Sequence, residues 1–277
     1  MRTAGLLWVG VLGVGFSGVF GASAGAQEAV VKETRAAVMP ASTTSMDAGA
    51  SAPVAELPTT KALLTRNDEV MGGAEALRKA TTRRMKGLYQ TEDGSTFFSI
   101  EIFQKAPNKS LLKITLPNGV VVRDVCEGHA AWVEDAGGGY HQYEGAGLAS
   151  RLKYADFADR GKALLLAATG KVTGEEKIGR HATYVVEYVP EKNVVSRLYF
   201  DKDSGFVVHS EDVYTTKDGL YTVKLDLDDY RDVDGLKVPY RMKRTEKGVV
   251  LNIRLLQVSV NVPMEDSVFL KPESAPK

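Results

Sequence analysis

Between Ala182 and Val260 the chain alternates so regularly that few folds can accommodate it. In Tyr221-Thr222-Val223-Lys224-Leu225-Asp226-Leu227-Asp228 every odd position is apolar and every even one polar, the period of a strand with one face buried and one wet. Glycine-bearing turns punctuate the stretch at Asp203-Ser204-Gly205, Lys217-Asp218-Gly219, Asp234-Gly235 and Lys247-Gly248, where hairpins need a residue tolerant of positive φ. These strands form successive antiparallel hairpins, and a sheet so wide has to cover its apolar face. The expected class is mainly β (α+β): a large curved antiparallel sheet or incomplete β-barrel covered by a few helices.

The cover comes from two places. After Thr59, the residues Leu63, Leu64, Val70 and Met71 recur at helical spacing, interrupted by the polar Asn67, so a helix starts near Thr60. Gly72-Gly73 breaks it, and Ala74 to Ala80 forms a second short helix. Between Gly145 and Ala168 the period changes again. Leu148, Leu152, Ala155, Phe157 and Ala163 to Ala167 indicate one or two helices, with Gly161 as the candidate break. Strands fill the interval between these helical segments: Arg84 to Thr91, Thr96 to Ala106, Ser110 to Leu116, Val120 to Cys126, Ala130 to Val133 and a short one near Tyr140. From Lys171 they resume and run to Val260, and Pro263 to Lys277 reads as an irregular tail.

The first residues do not belong to this domain. Met1-Arg2, an apolar glycine-rich run from Leu6 to Phe20 and then Ala24-Gly25-Ala26 match a secretory signal peptide cleaved after Ala26. Residues 27–58 are rich in Ala, Ser, Thr and Pro without periodicity, and such a segment buries too little to offset its ordering entropy. The expected organisation is a signal peptide over 1–26, a flexible leader over 27–58 and a single domain over 59–277, exported to the periplasm or secreted. Cys126 is the sole cysteine, so the exported chain relies on its core rather than on an internal disulfide.

Charge excludes one large class of partner. Lys plus Arg and Asp plus Glu each number 35, and the basic residues alternate with apolar ones along strands. A nucleic-acid-binding protein needs a basic surplus or stripe, and none is present. Cys126-Glu127-Gly128-His129 is the one close pairing of cysteine and histidine, a fragment of a metal site that reads more simply as a small buried hydrophobe under a turn. His141, His181 and His209 lie on separate strands. The acidic run Asp226, Asp228, Asp229, Asp232 and Asp234 lacks calcium-loop spacing and reads as a solvated strand entering a turn. No nucleophile elbow, phosphate loop or dinucleotide fingerprint occurs. No catalytic residue, metal ligand or cofactor is assigned, and the expectation is a non-enzyme.

What remains is an apolar surplus on the strands. Phe98, Ile100, Leu112, Ile114, Tyr184, Val186, Leu198, Phe200, Val223, Leu225, Tyr240 and Met242 fall on one face of the sheet by period two. If short helices cover that face incompletely, an apolar cavity forms and these twelve residues line it. The alternative is a core packed dry by the helices.

Several short segments carry a resemblance. They are Val70-Met71-Gly72-Gly73-Ala74-Glu75-Ala76-Leu77-Arg78, Lys105-Ala106-Pro107-Asn108-Lys109, Leu198-Tyr199-Phe200-Asp201 with Ser204-Gly205, Tyr230 to Pro239, and Asn261-Val262-Pro263 with Phe269. Together they resemble bacterial outer-membrane lipoprotein-sorting-like proteins of the LolA/LolB fold, over roughly Leu63 to Pro272. The resemblance implies an open barrel with helices plugging its mouth. It also implies a periplasmic carrier that binds lipid, lipoprotein acyl chains or other amphiphiles and hands them to an acceptor at the outer membrane. On the same scaffold, an envelope sensor acting on a regulatory partner and a structural envelope protein without ligand are the alternatives.

Overall fold

The computed structural model describes residues 56–157, 160–217 and 219–271. The expected signal peptide and the leader up to residue 55 lie outside them. Helices α1 (Thr60–Val70) and α2 (Gly73–Lys79) precede strands β1 (Thr82–Thr91), β2 (Phe97–Lys105), β3 (Lys109–Thr115), β4 (Val121–Cys126), β5 (Ala131–Glu134) and β6 (Tyr140–Gln142). Helices α3 (Gly145–Ala155) and α4 (Arg160–Thr169) follow, and then β7 (Lys171–Ile178), β8 (His181–Glu191), β9 (Val194–Asp201), β10 (Val207–Thr216), β11 (Gly219–Val233), β12 (Leu236–Glu246) and β13 (Val249–Val260).

All thirteen described strands form one antiparallel sheet in the order β6-β5-β4-β3-β2-β1-β13-β12-β11-β10-β9-β8-β7. The sheet is therefore two meanders, each built from hairpins between sequence neighbours, joined where the first strand pairs with the last. That junction spans nine register pairs from Arg83↔Val260 to Thr91↔Leu251. The edges β6 and β7 are not paired with each other, so the sheet is open and not a closed barrel. The α3–α4 segment links one edge to the other in sequence.

The helices form where the apolar spacing changes to 3.6. Thr59 caps α1 by accepting a hydrogen bond from the Ala62 amide at 3.2 Å, which satisfies one of the free amides of a helix start. Leu63, Leu64, Asn67 and Met71 are buried along one side of it. Asn67, the apparent interruption in the stripe, thus belongs to it: its side-chain amide donates to the Gly205 carbonyl in the β9–β10 turn at 3.0 Å. Helix α3 ends at Ala155, α4 begins at Arg160 and Gly161 lies inside α4, so the expected break was set too late. Phe157, in the break, is buried, with its amide donating to the Pro107 carbonyl at 2.9 Å; this packing ends α3 without help from a glycine.

The tail is more ordered than its composition suggests. A 3-10 turn over Asp266–Phe269 docks Phe269, fully buried, against Leu111, Val125 and Trp132 on the outer side of β3–β5. Asp266 is clamped by Lys105 at 2.8 Å and Lys109 at 2.9 Å. Hydrogen bonds from Lys105 first and Lys109 second hold its carboxyl at about 2, below the usual carboxylate range. A depressed folded-state value stabilises docking above the ordinary range and loses that contribution as pH falls toward the depressed one. Amide hydrogen exchange across residues 264–270, corrected for intrinsic rate, is therefore expected to lose protection between about pH 4 and pH 2. Protection unchanged over that interval would show that Phe269 alone holds the tail.

Candidate functional site

The register of the sheet arranges its inner face in rows. One row runs Val122–Ile114–Ile100–Gly87–Leu255 across β4, β3, β2, β1 and β13. A second runs Phe98–Tyr89–Ile253–Met242–Leu227. A third runs Leu251–Arg244–Leu225–Ser210–Leu198–Val186–Val172, from β13 to the β7 edge. Directly opposed side chains in such rows lie close enough to pack. Leu63, Leu64 and Met71 from α1 and its end, Leu77 from α2, Phe157, and Ala163 and Leu166 from α4 close over them in one continuous apolar cluster.

Ten of the twelve residues expected to face this space are buried in that cluster: Phe98, Ile100, Leu112, Ile114, Val186, Leu198, Phe200, Leu225, Tyr240 and Met242. Tyr184 packs against its margin, with the Lys202 ammonium 4.6 Å from its ring centre. Val223 does not join. It is half-buried on a row whose flanking residues are Glu246 and Asp212, so its neighbours are polar although its own period is right.

Sequence reasoning missed the polar residues among the apolar ones. Arg244 is buried on the inner face, bonded to Glu246 at 2.5 Å; its spacing of two from Met242 and four from Tyr240 was the available signal. Arg83 is fully buried, donating to the Phe157 carbonyl at 2.7 Å with its guanidinium 4.0 Å over that ring. Under α3, Arg151 Nε donates to Asp124 at 2.5 Å, Tyr143 donates to the same carboxylate at 3.0 Å, and Arg151 reaches Ser110 at 2.9 Å. Beside this network, a hollow of about 10 Å³ is lined by Tyr89, Ile102, Gln104, Ser110, Leu111, Leu112, Arg151 and Tyr154. The buried Gln104 Oε1 in its wall accepts no hydrogen bond, and the space matches one water-sized group. Burial pushes the Tyr89 phenol well up, so it is a neutral group.

Cover and sheet are tied together mainly at one end. Arg66 of α1 donates to the Lys202 and Asp203 carbonyls at 2.8 and 2.6 Å. The Lys237 amide, at the start of β12, donates to the Met71 carbonyl at 3.1 Å. Thr60 donates to the Gly170 carbonyl at 2.8 Å, which joins α1 to the end of α4.

Most of the residues weighed as metal ligands are otherwise engaged. Cys126 is buried with Ala131 and Ala155 and donates to the Asn108 carbonyl. His141 bonds Asp135 at 2.8 Å, His181 bonds Asp201 at 3.1 Å and His209 bonds Asp226 at 2.6 Å. In the acidic run, Asp228 meets Arg241, Asp229 meets Arg231 and Asp232 meets Lys237. Among the described residues no group of three His, Cys, Asp or Glu side chains is gathered as a metal set, and no helix is long and apolar enough to cross a membrane.

No family model and no curated protein sequence matches the chain. It is similar to the crystal structure of a DUF1329 family protein from Desulfovibrio piger, with 16% identity, 76% of this chain and 95% of that one covered, and a TM-score of 0.55. It is also similar to that of a LolA superfamily protein from Nitrosomonas europaea, with 14% identity, coverage of 78% and 99%, and a TM-score of 0.49. The open antiparallel sheet with helices across one face is shared as a fold with the first of these. At these identities the likeness is one of fold alone.

Proposed function

We propose that the protein is a periplasmic or secreted carrier that holds a lipid, a lipoprotein acyl chain or a similar amphiphile between the inner face of the sheet and its helices. The observation that carries this reading is the apolar cluster itself. It extends over rows from β3 to β8 and is closed by separate short helices rather than by a second sheet. An acyl chain lying along those rows would be stabilised by about 0.8 kcal/mol per buried methylene. Phe98, Ile100, Leu112, Ile114, Val186, Leu198, Phe200, Leu225, Tyr240 and Met242 would be its walls, with Tyr184 and Val223 at the margins. Entry requires α1 to lift from the β9–β10 turn, breaking the Arg66 and Asn67 hydrogen bonds, each contributing on the order of 1 kcal/mol net. The open sheet with helices across its apolar face supports this reading, and the protein is not proposed to be an enzyme.

Native mass spectrometry of the mature protein from its own envelope fraction, followed by lipid extraction, tests it. A stoichiometric amphiphile is expected. Replacing Arg66 by alanine loosens the cover without altering the apolar face, and is expected to speed exchange of that amphiphile by roughly tenfold or more, on the order of its two lost hydrogen bonds. An apo mass that persists after incubation with lipids and acylated peptides overturns the carrier reading in favour of a dry core.

A further inference from the structure

We propose that the opposite face of the same sheet holds a second site, which takes a single amphiphilic anion with its headgroup at Arg254 and its apolar body over Leu88 and Phe97. A groove of about 690 Å³ crosses β2, β1, β13, β12 and β11 there, within the size range of small-molecule sites. Its floor is two outward-facing rows. One is Phe97–Gln90–Asn252–Lys243–Asp226, and the other is Ser99–Leu88–Arg254–Arg241–Asp228.

The charge arrangement points to an anion. Arg254 and Arg241 are direct cross-strand partners, and like charges placed opposite each other destabilise a sheet. Arg241 is offset by Asp228 at 2.9 Å, and Lys243 leans toward Glu92 at 3.8 Å. Arg254 is exposed and, among the described residues, makes no hydrogen bond and has no carboxylate oxygen within 4.0 Å. Its own field reaches Asp229, whose carboxyl it helps to lower after Arg231 and Arg241. A guanidinium offers a planar fork of donors suited to a carboxylate or phosphate, and the Asn252 amide beside it is also unbonded among the described residues.

The apolar part follows from the register. Leu88 is the cross-strand partner of Arg254, and Phe97, one row along, is 60% exposed. At the other end Asp226 and Asp228 repel a second negative charge, so the headgroup is placed toward Arg254 and the tail toward β2. A groove across strands admits one extended molecule, whereas a flat bilayer cannot enter it; the occupant is therefore a dissolved amphiphile rather than a membrane surface.

Calorimetric titration of the full chain with dodecyl phosphate below its micellar concentration tests this, with inorganic phosphate and phospholipid vesicles as controls. Saturable binding is expected, with Arg254→Gln weakening it about tenfold, the scale of one charge-assisted contact, and Phe97→Ser weakening it less. Because the Arg254 charge opposes that of Arg241, the melting temperature of Arg254→Gln is expected not to fall. If the inner face also takes the probe, the wild type binds two equivalents and Arg254→Gln weakens only one of them, about tenfold. If the carrier reading fails, the wild type binds one equivalent and the variant binds that one about tenfold more weakly, so the two readings fail separately. Affinity and stoichiometry unchanged in both variants would overturn the site. Inorganic phosphate binding equally tightly through Arg254, or binding to vesicles only, would overturn the amphiphile as its occupant.

Discussion

Replacing Asp124 by alanine is expected to destabilise the protein by about 3–5 kcal/mol, the range found when one partner of a buried ion pair is removed. The Asp124 and Arg151 side chains are each 5% exposed and meet at 2.5 Å, and the same carboxylate accepts from Tyr143. Alanine would leave the guanidinium buried with Ser110 as its neutral partner among the described residues, and α3 would lose its ion pair to β4. Burial, reinforced by the Asp124 charge, already pushes the Tyr143 phenol up, so that group cannot supply a replacement negative charge. The double replacement Asp124→Leu with Arg151→Met removes both charges together and is expected to cost far less than the single change. Urea unfolding of the three variants measures the difference. A loss below about 1 kcal/mol in the single variant would place the pair in the energetic class of solvated surface bridges.

A comparable effect is expected at Gly72, and its neighbour provides the control. Gly72 has φ +117°, and a Cβ there would stand 2.1 Å from the Gly235 carbonyl oxygen in the β11–β12 turn. Both the backbone and the rigid turn would have to move, so Gly72→Ala is expected to cost about 3 kcal/mol or more, the sum of left-handed strain and a backbone clash. Gly73 has φ +82° but nothing within 4 Å of its Cβ position, so Gly73→Ala carries only the conformational term of roughly 1–2 kcal/mol. The glycine pair between α1 and α2 suggests a hinge from composition. The close approach at Gly72 makes it equally a packing point, where the cover is seated on the end of the sheet beside the Lys237 to Met71 hydrogen bond. Equal losses in the two variants would mean that the Gly235 contact contributes nothing.

Much of the inner face was legible because period two is a local property. Phe98, Ile100 and Ile102 lie on one side of β2 in any pairing, and so do Leu225 and Leu227 on β11. Two kinds of detail were not legible. Val223 obeys the alternation yet stays outside the cluster because its row-mates Glu246 and Asp212 come from other strands. Asn67 and Arg244 disobey composition yet are buried, because the Gly205 carbonyl accepts from the Asn67 amide nitrogen and the Glu246 carboxylate accepts from Arg244. The docking of Phe269 was hidden for a similar reason: the residues that receive it lie more than a hundred positions earlier in the chain.

By itself the sequence determined the strands, most hairpin turns, the helices that cover them and the mainly β class, since alternation, turn glycines and helical spacing act between near neighbours. The tertiary structure alone decided three things: that β1 closes on β13 to fuse two meanders into one open sheet, that Asp124 is matched by Arg151, and that Arg254 is left facing Arg241 across an open groove. Each depends on which distant residues become cross-strand or cross-layer neighbours. That choice is made by the packing free energy of the whole sheet, which no local pattern encodes.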